Sequence, residues 1–206
     1  VIDLLPDLAA RILPDVASRG QGRHIYLTFD DGPDPDITPQ LLDHLGHASV
    51  RAAFFLTGRQ VERHPDIARR IIREGHILGS HGYDHRPLTF ASPGRAGADL
   101  DRADAAIRQA TGFCPFLYRP PYGRIGPGVY RAARLRERRI VLWRYAPGDW
   151  KPLGRELLAA RLLRNVGPGD IVLLHDRGAG VGDLIAALPE VLAEWQRRGM
   201  TFTALP

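Results

Sequence analysis

The chain has 206 residues, 44% of them apolar and 25% charged, with a formal charge of +5; these values fit one globular domain with a sizeable core and exclude a disordered or low-complexity chain. A single cysteine, Cys114, excludes an internal disulfide and a Cys-rich zinc site. No stretch reaches the roughly 20 apolar residues of a membrane span, and no signal peptide is visible in a chain that opens on Val1.

In chain order, the first 22 residues fit no repeating unit and are expected to form an extension packed on the outside of a domain spanning 23–206. His24–Phe29 is rich in β-branched and aromatic residues and reads as a strand. Thr38-Pro39 reads as a helix cap followed by proline at the first helical position, with Leu41, Leu42 and Leu45 as the apolar face. Arg51–Leu56 is the next strand, Asp66–Glu74 a helix stopped by Gly75, and His76–Ser80 a short strand.

Arg95–Ala110 reads as a helix, Phe116–Tyr118 as a strand, Gly128–Arg138 as a helix and Ile140–Trp143 as a strand. Arginine supplies 27 of the 28 basic residues, Lys151 being the exception. The densest run is Arg131, Arg134, Arg136, Arg138 and Arg139, and it reads as a solvated helix face rather than a nucleic-acid surface. Arg155–Asn165 is helical, and Ile171–Leu174 is an apolar run suited to a strand buried on both faces. Asp183–Arg198 reads as a helix kinked or delayed by Pro189, and Met200–Ala204 as a closing strand. About seven βα units result, which predicts parallel strands covered by helices, as an open sheet or a barrel.

The polar residues follow the strands. Asp30-Asp31-Gly32-Pro33 follows the first, His81-Gly82-Tyr83-Asp84-His85 the third, Arg119-Pro120-Pro121-Tyr122-Gly123 the fourth, Asp149-Trp150 the fifth and His175-Asp176 the sixth. In parallel α/β folds the C-terminal strand ends form the active-site mouth, so these groups are expected to converge. Two imidazoles and one aspartate make a metal site with open positions. One of the adjacent aspartates then binds metal while the other acts as general base, and His175, from another strand, is the candidate acid. By contrast, His24, His44, His47, His64 and His76 lack any motif.

On these motifs the chain resembles the NodB-homology polysaccharide deacetylases, carbohydrate esterase family 4, over roughly residues 24–204. Thr28-Phe29-Asp30-Asp31-Gly32-Pro33 matches the first family motif in full. His81–His85, Arg119–Gly123, Asp149-Trp150 and Leu173-Leu174-His175 resemble the other four. The resemblance implies a distorted (β/α)7 barrel, Asp30 as base, and Asp31, His81 and His85 as ligands of a divalent metal, usually zinc, with cobalt or another divalent ion as alternatives. It implies His175 as the acid, Arg119 and Asp149 as their supports, the Tyr122 N–H at the oxyanion, and Pro121, Trp150 and Leu173 along the substrate.

An acetylated polysaccharide such as peptidoglycan or chitin-type oligomers is the implied substrate, handled by a monomer outside the cytoplasm without nucleic acid. Rival readings are an O-acetyl esterase acting on acetylxylan, a carbohydrate-binding relic, a non-haem iron oxygenase and a nucleic-acid binder. Two positions depart from the family pattern: Gly82 stands where Ser or Thr is usual, and Ala146 where the first Asp of an Asp-x-x-Asp-Trp motif is often found.

Overall fold

The computed structural model describes residues 6–206. Seven parallel strands form one sheet: β1 (Val16–Ala17), β2 (Tyr26–Asp30), β3 (Ala53–Leu56), β4 (Ile77–Ser80), β5 (Leu117–Tyr118), β6 (Arg139–Val141) and β7 (Ile171–His175), in the order β1-β6-β5-β4-β3-β2-β7. The helices described are α1 (Pro6–Ile12), α2 (Ile37–His47), α3 (Gly58–Arg63), α4 (Pro65–Arg73), α5 (Pro93–Thr111), α6 (Pro127–Arg134), α7 (Arg155–Asn165) and α8 (Val181–Arg197). The sheet curls until the segment after β6 meets β7. There the Arg144 N–H donates to the Ile171 carbonyl and the Leu173 N–H to the Tyr145 carbonyl, both at 2.9 Å. This is the distorted (β/α)7 barrel that the motifs imply.

Strand alternation divides two cores. Leu27, Phe29, Val172 and Leu174 face outward and pack under the helices with Leu41, Leu45, Leu188 and Trp195. Tyr26, Phe55, Leu117, Val141 and Ile171 fill the barrel. Each fully buried side chain of this size contributes roughly 1.5–3 kcal/mol. The same alternation turns Thr28, Asp30, Leu173 and His175 inward, and the parallel register sets Thr28 opposite Leu173 and Asp30 opposite His175. Thus the apolar pattern that builds the outer core also aims two functional groups at one mouth.

Helix ends follow local chemistry. In α5 the Ser92 hydroxyl accepts the Arg95 N–H, Pro93 occupies the first turn, and Gly112 ends the helix in the left-handed conformation at φ 75°. Four expectations are corrected. Helix α2 begins at Ile37 with Asp36 at the cap, and Thr38 is buried inside its first turn. Pro189 lies within an uninterrupted α8. The closing segment 200–204 makes only a bridge between Phe202 and Ile25, and the seventh strand comes instead from Val16–Ala17, paired with β6. The arginine run is not simply solvated: Arg134 pairs with Asp15 at 3.0 Å, Arg136 with Asp101 at 2.6 Å and Arg138 with Asp104 at 2.8 Å. No helix among the described residues is long and apolar enough to cross a membrane.

Candidate active site

The loops at the C-terminal ends of β2, β4, β5, β6 and β7 bring the motif residues together. At the centre, Nε2 of His81 lies 3.4 Å and Nε2 of His85 3.1 Å from the same Asp31 Oδ1. The three donor atoms fall within 4.8 Å of one another. That Oδ1 is buried without a hydrogen-bond partner, as a carboxylate facing a cation would be. The His81 Nδ1–H donates to the Arg119 carbonyl at 2.6 Å, which fixes the tautomer and leaves Nε2 as a lone pair toward Asp31. Asp31 (φ 84°), His85 (φ 55°) and Tyr122 (φ 61°), three of the five non-glycine residues at positive φ among those described, hold this backbone cost at the site.

Electrostatics separates the groups. Burial pushes the Asp31 carboxyl up, but the His81 contact and the charges of His81, His85 and His175 outweigh it and hold it at about 2. Burial favours neutral His81, yet the Asp30 charge and the Asp31 contact raise it overall. His85 is lowered by burial and by the neighbouring His81 charge. Two imidazoles facing one ionised carboxylate thus form a donor set suited to a divalent ion.

Asp30 is buried beside this triad. Its Oδ1 accepts from Arg119 Nη1 at 2.6 Å, and its Oδ2 lies 3.7 Å from His81 Nε2. Arg119 is itself fully buried, and its fork is used on every side: Nη1 also reaches Thr28 Oγ1, while Nε and Nη2 donate to the carbonyls of Val141 and Leu142. Its guanidinium also lies over the Phe55 ring, 4.1 Å from the centroid.

His175 stands on the neighbouring strand β7, in register with Asp30. Asp149 accepts the His175 backbone N–H at 2.7 Å and its Nδ1–H at 3.1 Å, so Nε2 is left for the mouth. Burial depresses His175, but the hydrogen bond and charge of Asp149, with Asp30 and Asp31 behind it, raise it to about 9. Trp150 is half exposed, edge-on to His175 with centroids 5.5 Å apart. The Tyr122 ring lies against His85, centroids 4.6 Å apart, next to buried Pro121. Leu173 is buried one pleat below His175 on the same strand face. The residues that the motifs assign to a site therefore lie on this mouth or directly behind it.

Sequence reasoning gave no chemical role in the site to Thr28, Thr38 or Asp176. Asp176 is fully buried, and its Oδ2 accepts the Thr38 hydroxyl at 2.7 Å. Burial raises it to about 7, with the Asp31 charge adding. A side chain on Gly32 would meet this carboxyl at 2.0 Å, so only glycine fits beside Asp31. His76 is structural, as expected of a histidine outside any motif: it accepts the Ala52 N–H at 3.1 Å.

Residues 17–150 match the family model for polysaccharide deacetylases. A peptidoglycan-N-acetylglucosamine deacetylase of Bacillus cereus is 35% identical over 183 residues, covering 88% of this chain and 85% of that protein. A chitooligosaccharide deacetylase of a Bradyrhizobium species is 34% identical over 200 residues, covering 89% of this chain and 90% of its own length. A solved peptidoglycan N-acetylglucosamine deacetylase superposes with a TM-score of 0.89 at 31% identity, covering 93% of this chain and 91% of the other. The chain spans 66% of a second Bacillus cereus relative and 40% of a Listeria monocytogenes one. This chain belongs to the polysaccharide deacetylase family, the NodB-homology fold of carbohydrate esterase family 4.

Proposed function

We propose that the protein is a metal-dependent hydrolase that removes N-acetyl groups from N-acetylglucosamine units of a polysaccharide, peptidoglycan or chitin-type oligomers, and releases acetate. The observation that carries this reading is the Asp31–His81–His85 donor set, flanked by an Arg-held carboxylate on one side and an Asp-held imidazole on the other. Two neutral imidazoles and one carboxylate are a donor set that suits zinc, with cobalt or another divalent ion as alternatives. An ion bound there supplies Lewis acidity toward water and the acetyl carbonyl.

The chain's own groups do the proton work. Asp30 takes a proton from the attacking water as its oxygen adds to the acetyl carbon. His175 Nε2 then gives its proton to the amide nitrogen as the C–N bond breaks, leaving acetate and a free amino sugar. Arg119 keeps Asp30 aimed, and Asp149 keeps His175 aimed and protonated. The Tyr122 backbone N–H supports the oxyanion, while Pro121, Trp150 and Leu173 shape the groove and the acetyl-methyl pocket. Such polymers lie outside the cytoplasm, so the same reading has the protein act there, and one chain supplying every group suits a monomer.

Acetate release from N-acetylglucosamine oligomers, peptidoglycan and acetylxylan tests this. Release that needs zinc, disappears in Asp30→Asn and is fastest on an N-acetylated glycan supports it. Faster release from acetylxylan makes the protein an esterase, and zinc-independent release overturns the mechanism.

A further inference from the structure

The metal triad opens on one side into a cavity of about 660 Å³ that Asp31 and His85 share with Arg59, Arg63 and Arg177. The cavity's position is fixed by backbone. Where α3 begins, the Gly58 N–H donates to the Gly82 carbonyl at 3.0 Å and the Arg59 N–H to the Tyr83 carbonyl at 3.1 Å, bolting the helix to the loop that carries both histidines. Arg177, two residues beyond His175, closes the other wall.

The charges on this wall do not cancel. Apart from Asp31, the cavity holds two carboxylates, Asp34 and Asp84, against three guanidiniums. Asp84 is committed to Arg59 at 2.6 Å, and Asp34 reaches Arg177 only at 4.0 Å. The buried Gln60 amide lies against Arg177, and with its oxygen turned toward the guanidinium it accepts from both Nη atoms and braces the charge without neutralising it. Arg63 has no carboxylate partner among the described residues and is exposed at the cavity. A divalent ion on Asp31 removes the remaining negative charge and leaves the cavity cationic.

From this we propose that the cavity is an anion subsite that takes a carboxylate borne by the glycan near the acetamido group under attack. The occupant is then a carboxylated N-acetylated glycan, as in a sugar with a lactyl-ether acid, rather than a neutral oligomer. Guanidinium forks match carboxylate geometry and are built for such a contact. The inference rests on the deacetylase reading for the position of the sugar, and it assigns that reading a substrate class.

The test uses the zinc-loaded chain and three tetrasaccharides. One alternates N-acetylglucosamine with its lactyl-ether acid, the second is its methyl ester, and the third is the neutral N-acetylglucosamine tetramer. Acetate release gives kcat/KM, and calorimetry on Asp30→Asn gives Kd independently of turnover. The acid is expected to surpass its ester by about tenfold in both measures, from one or two charge-assisted contacts at a partly exposed site. That ratio falls toward one in Arg63→Gln/Arg177→Gln and shrinks as salt is raised. No preference for the acid, or a preference that survives in the double variant, overturns the proposal. Absence of acetate from all three sinks the deacetylase reading, while the calorimetric ratio still decides the subsite.

Discussion

The Arg119 guanidinium and the Asp30 carboxylate form a buried ion pair, Nη1 to Oδ1 at 2.6 Å, in which Arg119 is wholly inaccessible to solvent. Such a pair adds little net stability when complete, but removing one partner strands a charge and costs about 3–5 kcal/mol. Arg119→Gln is therefore expected to lose that much in urea unfolding and to leave deacetylation at background. Full activity in a folded Arg119→Gln would show that Asp30 needs no guanidinium. Arg119→Lys is no rescue, because an ammonium cannot reach Thr28, Asp30 and two carbonyls at once.

His175 sits at about 9 chiefly because Asp149 overcomes its burial. In the proposed acid role it acts only when protonated, so activity is expected to hold at neutral pH and to fall as pH rises through its pKa. Asp149→Asn removes the supporting charge, so the alkaline limb of kcat/KM moves toward neutral pH. Stability follows the same sign. A folded pKa above the unfolded 6.5 gives stabilisation that is complete below about 6.5 and lost on approaching about 9. Asp149→Asn should flatten the fall of Tm across that window, and NMR of the metal-free chain should place His175 well above 6.5. An unmoved limb in Asp149→Asn would remove His175 from the acid role.

Zinc binding at the proposed Asp31–His81–His85 site is expected to displace protons, because His81 is raised by Asp30 and Asp31 despite its burial. Calorimetric titration with zinc at pH 6 should release more protons than at pH 8. His81→Ala should weaken zinc by more than the roughly 10–100-fold typical of outer-shell changes. Chelation should lower Tm and abolish acetate release, with zinc restoring both. Unaltered zinc affinity in His81→Ala would relocate the metal.

Much of the fold and of this site is legible in the sequence because the polar motifs end strands whose apolar patterns are clear. Ile171–Leu174 announces a strand covered on both faces, and His175 follows it directly. What stays hidden is either very short or very distant. Two residues, Val16 and Ala17, carry no period, so β1 escapes notice, whereas Met200–Ala204 looks like a strand yet makes only one bridge. Thr38-Pro39 carries a helix-start signal, but the Thr38 hydroxyl bonds Asp176, 138 residues away. Likewise the contact of Thr28 with Arg119 spans 91 residues, and no local pattern encodes it.

Gly82 occupies a position where the family pattern has a hydroxyl, and Asp99 accounts for the exchange. Gly82 lies at φ 74°, and a Cβ there would come within 2.7 Å of Asp99 Oδ2. That oxygen is held in place, since it accepts the Tyr83 N–H at 3.0 Å. A carboxylate from α5 thus braces the metal loop in this chain and fills the space that a serine side chain needs. Gly82→Ser is then expected to cost about 1–3 kcal/mol, from the left-handed backbone and the clash together, and to weaken zinc binding. Asp99→Ala frees the Tyr83 N–H and should also loosen the loop. Because the two changes share one contact, Gly82→Ser/Asp99→Ala should cost less than the sum of the single variants. Urea unfolding and zinc titration of all four proteins measure that coupling. Strict additivity, or a neutral Gly82→Ser, would mean that the loop is braced elsewhere.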